Sequence, residues 1–144
     1  MSGPATPRGA EIAGLAHVAI ATRDADALAG RLIDAFGAER GSEEILDGGG
    51  LRVVFVKVGP LTLELLEPRS EEHTVARFLE KRGEGLHHVS LEVADVSAAL
   101  ERSRRAGVEA IDARPRDGAH GTRVAFLHPR SLGGVLFELC GKEK

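Results

Sequence analysis

The chain has 144 residues, 42% of them apolar and 28% charged, with a net charge of −3. That length suits one compact domain, and the charge balance gives no electrostatic case for nucleic acid. No apolar run approaches the roughly 20 residues that cross a bilayer, and the first residues show no signal-peptide stretch, so a cytoplasmic protein is expected.

Residues 1–11 read as a flexible tail and 12–140 as a single domain. The segment Leu15 to Ala21 is rich in Val, Ile and Ala, lies between a glycine and an aspartate, and predicts a strand. Asp24 is placed to cap a helix over Ala25 to Ala35, whose Leu28, Leu32 and Ile33 follow helical spacing and which stops at Gly37. A weaker strand is expected next, followed by the glycine-rich turn Asp47 to Gly50 and clear strands over Leu51 to Val58 and Leu61 to Leu66. Val75 to Lys81 predicts a short linking helix. The order then begins again. A strand over Leu86 to Val93 leads to Asp95 as cap of a helix over Val96 to Ala106, with Gly107 as its stop. Strands over Thr122 to Leu127 and Gly134 to Leu139 close the chain, with a weaker one before them.

This is βαβββ written twice, in copies of about 14–68 and 85–140, and it predicts the α+β class. Gly14-Leu15-Ala16-His17-Val18-Ala19-Ile20 returns as Gly85-Leu86-His87-His88-Val89-Ser90-Leu91, a shift from 17 to 88. The same shift carries Asp24 onto Asp95 and Arg52-Val53-Val54-Phe55-Val56 onto Arg123-Val124-Ala125-Phe126-Leu127. Leu63-Glu64-Leu65-Leu66 returns as Phe137-Glu138-Leu139-Cys140 after three extra residues in the preceding turn.

Glu64 and Glu138 each stand inside an otherwise apolar strand. An ionised carboxylate buried alone costs several kcal/mol, so such a residue pairs with a cation, coordinates a metal or becomes protonated. His17 and His88 occupy matching positions in the two copies, so pseudo-twofold packing would bring two imidazoles and two carboxylates together. Those donors suit Co²⁺, Mn²⁺, Zn²⁺, Fe²⁺ or Ni²⁺ with positions left open. His88 is preferred to His87 because only His88 is followed by the Val-Ser-Leu that parallels Val18-Ala19-Ile20, and adjacent strand residues face opposite sides. Cys140, the single cysteine, is expected to be a buried, inert thiol. Trp and Tyr are absent, which leaves no stacking platform for bases. A nucleophile elbow, a Walker loop and a dinucleotide fingerprint are missing.

Over about residues 12 to 140 the chain resembles the vicinal oxygen chelate superfamily of paired βαβββ metalloenzymes. The segments Leu63-Glu64-Leu65-Leu66-Glu67-Pro68, Phe78 to His88 and Phe126-Leu127-His128-Pro129-Arg130-Ser131 look like its methylmalonyl-CoA epimerase branch. The resemblance implies two βαβββ modules forming a cupped mixed sheet around a metal site, with His17, Glu64, His88 and Glu138 as ligands. Some family members carry Gln at the position of Glu64. It also implies a homodimer, an acyl-CoA substrate, a divalent ion with Co²⁺ favoured, and epimerisation at C2 with Glu138 as one acid/base.

The position that carries an opposing Glu in some members falls on Val53, and Glu43, Glu44 or Asp47 could supply that second base. Arg123, His128, Arg130 and Ser131 are candidates for the substrate carboxylate or the CoA phosphates, or else decorate a turn. Glu101, Arg102, Arg104 and Arg105 read as the wet face of the second helix. The competing readings are a glyoxalase-type lyase, a dioxygenase, or a metal-free small-molecule binding protein of the same fold. A dioxygenase usually needs two His and one carboxylate, fewer ligands than this chain offers.

Overall fold

Two aspartates begin the helices that the repeat predicts. The carboxylate of Asp24 accepts from the Ala27 amide, and that of Asp95 accepts from the Ala98 amide, each satisfying a backbone donor that the first turn leaves orphaned. In the computed structural model, which describes residues 7–142, these helices are α1 (Ala25–Phe36) and α3 (Val96–Arg105). The linking helix is α2 (Thr74–Arg82). The strands are β1 (Ile12–Ala21), β2 (Glu39–Leu46), β3 (Leu51–Val58), β4 (Leu61–Pro68), β5 (Gly85–Val93), β6 (Arg116–Asp117), β7 (Arg123–Leu127) and β8 (Phe137–Gly141). No helix among the described residues is long and apolar enough to cross a membrane. Of the tail expected over residues 1–11, residues 1–6 lie outside the described residues. Residues 7–10 form a turn in which the Gly9 carbonyl accepts from the Asp95 amide and Ala10 is buried.

Contacts divide the chain into two compact units, residues 17–88 and the described parts of 1–16 and 89–144, so β1 and β5 each contribute to both. In the first unit the strands run in the order β2-β3-β4-β1. β2 pairs antiparallel with β3 and β3 with β4, while β1 and β4 are parallel with Ala19 opposite Glu64. Ala25, Ala29 and Leu32 of α1 pack on Val54, Val56, Leu63 and Leu65, with Val18 and Ile20 against the same cluster. Because side chains alternate along a strand, His17, Ala19, Val53, Phe55, Glu64 and Leu66 occupy the face away from α1.

The second unit repeats this plan in the order β5-β8-β7-β6. β5 and β8 are parallel with Ser90 opposite Glu138, and β7 is antiparallel to β8 with Phe126 opposite Glu138. Val96, Ala99 and Leu100 of α3 pack on Val93, Ala125, Leu127 and Leu139, which leaves Ser90, Phe126 and Glu138 on the other face. Cys140 is buried as expected. Both units are α+β with mixed sheets, in agreement with the sequence.

The element bounds differ in places for physical reasons. β8 starts at Phe137, three residues later than predicted, because Gly133 and Gly134 sit at φ of 70° and 80° in a turn no strand can include. β6 is two residues long, whereas its counterpart β2 has eight.

Candidate metal and acid/base site

Strand register brings three of the four expected ligands together within the unit of residues 17–88. His17 lies two residues before Ala19, and Ala19 is the partner of Glu64, so the imidazole and the carboxylate are diagonal neighbours on one face. His17 Nδ1 stands 3.0 Å from Glu64 Oε2. With that nitrogen donating to the carboxylate, Nε2 presents a lone pair. It stands 3.2 Å from His88 Nε2, with the two rings edge-on. Both histidines are buried, at 7% and 4% exposure, on a face otherwise lined by Ala19, Val53, Phe55 and Leu66. A low dielectric strengthens every charge interaction there.

This donor pair fits a metal. Two imidazole nitrogens each about 2.0–2.1 Å from one ion, at angles of 90–109°, are separated by roughly 2.9–3.4 Å. The observed spacing falls in that interval. Glu64, hydrogen-bonded to the other ring nitrogen of His17, fixes the tautomer and orientation that such a pair requires. In the second unit Glu138 is 6% exposed on β8, with Ser90 and Phe126 as its cross-strand partners. Each copy thus puts its glutamate opposite the residue two beyond its histidine.

His87 departs from expectation in part. Alternation sends its ring towards Phe78 of α2, at 4.9 Å between centroids, yet its Nδ1 also meets His88 Nδ1 at 2.9 Å. Sequence periodicity carries no signal for this contact between neighbours. A further latch carries no sequence signal: Glu84 Oε2 accepts from the Thr22 hydroxyl and the Arg23 amide, each at 2.7 Å. These bonds, the amide first, hold the Glu84 carboxyl below its ordinary range.

The structure separates the three second-base candidates. Glu43 lies on the α1 side, where Arg52 bonds both its oxygens and also grips Asp26. The Arg52 guanidinium, helped by Arg40, draws Asp26 down to about 2 and lowers Glu43 as well, which suits neither to accept protons near neutrality. Asp47 adopts φ of 54° and its Oδ2 meets His73 Nε2 at 2.7 Å, an arrangement that closes the glycine turn. Glu44 is the cross-strand partner of Val53 and shares its face.

Among the substrate-recognition candidates, Arg123 pairs with Asp117 at 2.6 Å and Arg130 with Glu109 at 3.1 Å. His128 caps the turn Pro129–Ser131 by accepting from the Arg130 amide. Glu101 pairs with Arg104 and Arg105 along the exposed face of α3, as read from sequence.

A family model for the Glyoxalase/Bleomycin resistance protein/Dioxygenase superfamily matches residues 16–126. The chain belongs to this superfamily. Among curated relatives, it is 40% identical over 127 residues to the ethylmalonyl-CoA/methylmalonyl-CoA epimerase of Cereibacter sphaeroides, covering 87% of this chain and 95% of that one. A single-residue variant of Streptomyces coelicolor methylmalonyl-CoA epimerase in complex with 2-nitronate-propionyl-CoA matches with a TM-score of 0.86 at 34% identity, covering 93% of this chain and 100% of that one. A methylmalonyl-CoA epimerase in complex with methylmalonyl-CoA and NH4+ matches with a TM-score of 0.85 at 35% identity, covering 91% and 95%. Superfamily membership accounts for the repeated βαβββ plan with mixed strand pairing in each unit. It does not choose among lyase, dioxygenase and epimerase, because one fold hosts many reactions and the site decides.

Proposed function

We propose that this superfamily member is a metal-dependent epimerase that interconverts the two C2 epimers of methylmalonyl-CoA. The observation that carries this reading is the duplicated register, Ala19 opposite Glu64 and Ser90 opposite Glu138, each two residues beyond a histidine. The relatives described above act on the same kind of substrate. We assign His17, His88 and Glu138 as ligands of one divalent ion, Co²⁺ first among Mn²⁺, Zn²⁺, Ni²⁺ and Fe²⁺, within a single functional domain of residues 12–140, with Glu64, expected from the sequence as a fourth ligand, orienting His17 from its Nδ1 side instead. An ion there, when bound, supplies positive charge where negative charge develops on the substrate's thioester oxygen.

The chain's own residues do the rest. His17 and His88 are held in place by Glu64 and His87. The apolar neighbours Val53, Phe55 and Leu66 exclude water, which keeps the acidity gained at C2 from being lost to solvent screening. Glu138 takes the C2 proton on one face of the substrate and returns it there, so it is one acid/base of the pair that inversion needs.

The enzyme is expected to act in the cytoplasm as a homodimer, as small single-domain proteins commonly pair about a twofold. Light scattering should give the mass of two chains, and a monomer mass would end that assignment. The reaction itself is tested by supplying each epimer of methylmalonyl-CoA with Co²⁺ in deuterated water. Deuterium should enter C2 from both epimers together with inversion. Absence of exchange from either epimer, in protein carrying its metal, would overturn the assigned reaction.

A further inference from the structure

Inversion at a carbon acid asks more of the site than one carboxylate. A base fixed on one side of a planar enolate returns a proton to the side it came from, so a second group must face the other side. Val53, on the face that holds His17 and Glu64, cannot serve. The residue directly opposite Val53 on the neighbouring strand is Glu44.

An irregularity in β2 sets which glutamate faces that way. Arg40 pairs with Val56 and Glu43 with Val54, so Gly41 and Ser42 together oppose the single residue Phe55. One extra residue in a strand reverses the facing of everything beyond it. Without the bulge Glu43 would lie opposite Val53, and Glu44 would turn towards α1. With it, Arg40 and Glu43 both join Asp26 and Arg52 on the α1 side, and Glu44 passes to the side of Glu64. The bulge also leaves glycine over Phe55: a Cβ at Gly41 would stand 3.3 Å from the Phe55 carbonyl oxygen.

The other acid of β2 on this face, Glu39, lies opposite Lys57 where both residues are exposed. Glu44 is half-buried, beside Val53 at 1% exposure, whose own partner on β4 is Leu66 at 4%. Two strand spacings of about 4.8 Å and two residue steps of about 3.3 Å put its Cα roughly 12 Å from that of Glu64 on a flat sheet.

We infer that Glu44 is the second acid/base group of the epimerisation, placed there by the β2 bulge. The inference rests on the epimerase reading above. In one direction the Glu44 carboxylate accepts the C2 proton, the C–H electron pair passes into the enolate, and a protonated Glu138 delivers its proton to C2 from the opposite side. The reverse direction exchanges their roles. Each turnover leaves the two carboxyls with one proton between them, as at the start.

The test is deuterium entry from each epimer separately, in Glu44→Gln holding its full complement of Co²⁺. Epimerisation should fall by at least about 100-fold, the lower end for loss of a positioned base. Exchange should continue from the epimer whose C2 hydrogen faces Glu138, without inversion, and should stop from the other. Glu43→Gln should behave as wild type. Glu44→Asp keeps a carboxylate but withdraws it, so it should slow exchange from that second epimer selectively. Epimerisation by Glu44→Gln within about tenfold of wild type, or equal loss of exchange from both epimers in either Glu44 variant, would overturn the assignment. Failure of the epimerase reading looks different: the wild-type protein would then exchange neither epimer.

Discussion

Glu138→Gln, saturated with metal, is expected to lose at least about 100-fold in epimerisation, because loss of a positioned general base typically costs about 100- to 10,000-fold. Glutamine keeps the size of the side chain and one coordinating oxygen, so a residue that served only as a ligand would lose activity in line with metal occupancy. The matching change at Glu64 should be milder. Glu64 touches His17 at Nδ1, and an amide oxygen accepts that N–H almost as well as a carboxylate does. The two changes occupy equivalent places in the repeat, each opposite a phenylalanine, Phe55 or Phe126, so their local packing costs should be alike. Equal losses in the two variants at full metal content, or near-normal rates in Glu138→Gln, would show that Glu138 has no role as a base.

His17→Ala is expected to strip the protein of its metal. The imidazole contacts Glu64 through one nitrogen and His88 through the other, so its removal deletes a donor and frees the Glu64 carboxylate at the same time. Loss of an outer partner alone typically weakens metal affinity by about 10- to 100-fold, and loss of a direct donor should exceed that. Metal analysis of wild-type protein should find about one divalent ion per chain, and the double variant His17→Ala, Glu138→Ala should retain essentially none. Full metal content in that double variant would refute the site. Circular dichroism of the same samples separates loss of the ion from loss of fold.

The nearness of His17 to Glu64 and to His88 was legible in the chain because a duplication doubles every signal. A lone histidine on a strand says little, but two in register, each followed at similar distance by a glutamate in an apolar run, specify a shared geometry. The caps Asp24 and Asp95 were legible for the same reason, and both form the side-chain bonds expected of them. Other features carry no such signal. β2 is exposed along most of its length, so no apolar alternation reveals its phase, and the bulge that sorts Glu43 from Glu44 is invisible before its pairing with β3 is known. The reduction of β6 to Arg116 and Asp117 leaves no mark in the sequence, because a two-residue polar strand is too short to show alternation. The contact between His87 and His88 breaks the alternation on which the sequence reading relied, since a long side chain can curl back to meet its neighbour.

The parallel pairing of β1 with β4 has a consequence for how the protein acquires its chemistry. Val58 and Leu61 close a tight hairpin, whereas Val18 must find Leu63 across the whole of α1, β2 and β3. By loop-closure scaling the first contact costs about 1 kcal/mol of chain entropy and the second about 3, before fixed terms that both share. The second copy carries the same burden, for Val89 must find Phe137. Local hairpins therefore form ahead of the parallel ladders, and the ladders are what set each histidine beside its glutamate. On the proposed metal reading, the donors are expected to stay far apart until these long-range pairings form, so uptake of the ion should follow the β1–β4 and β5–β8 ladders.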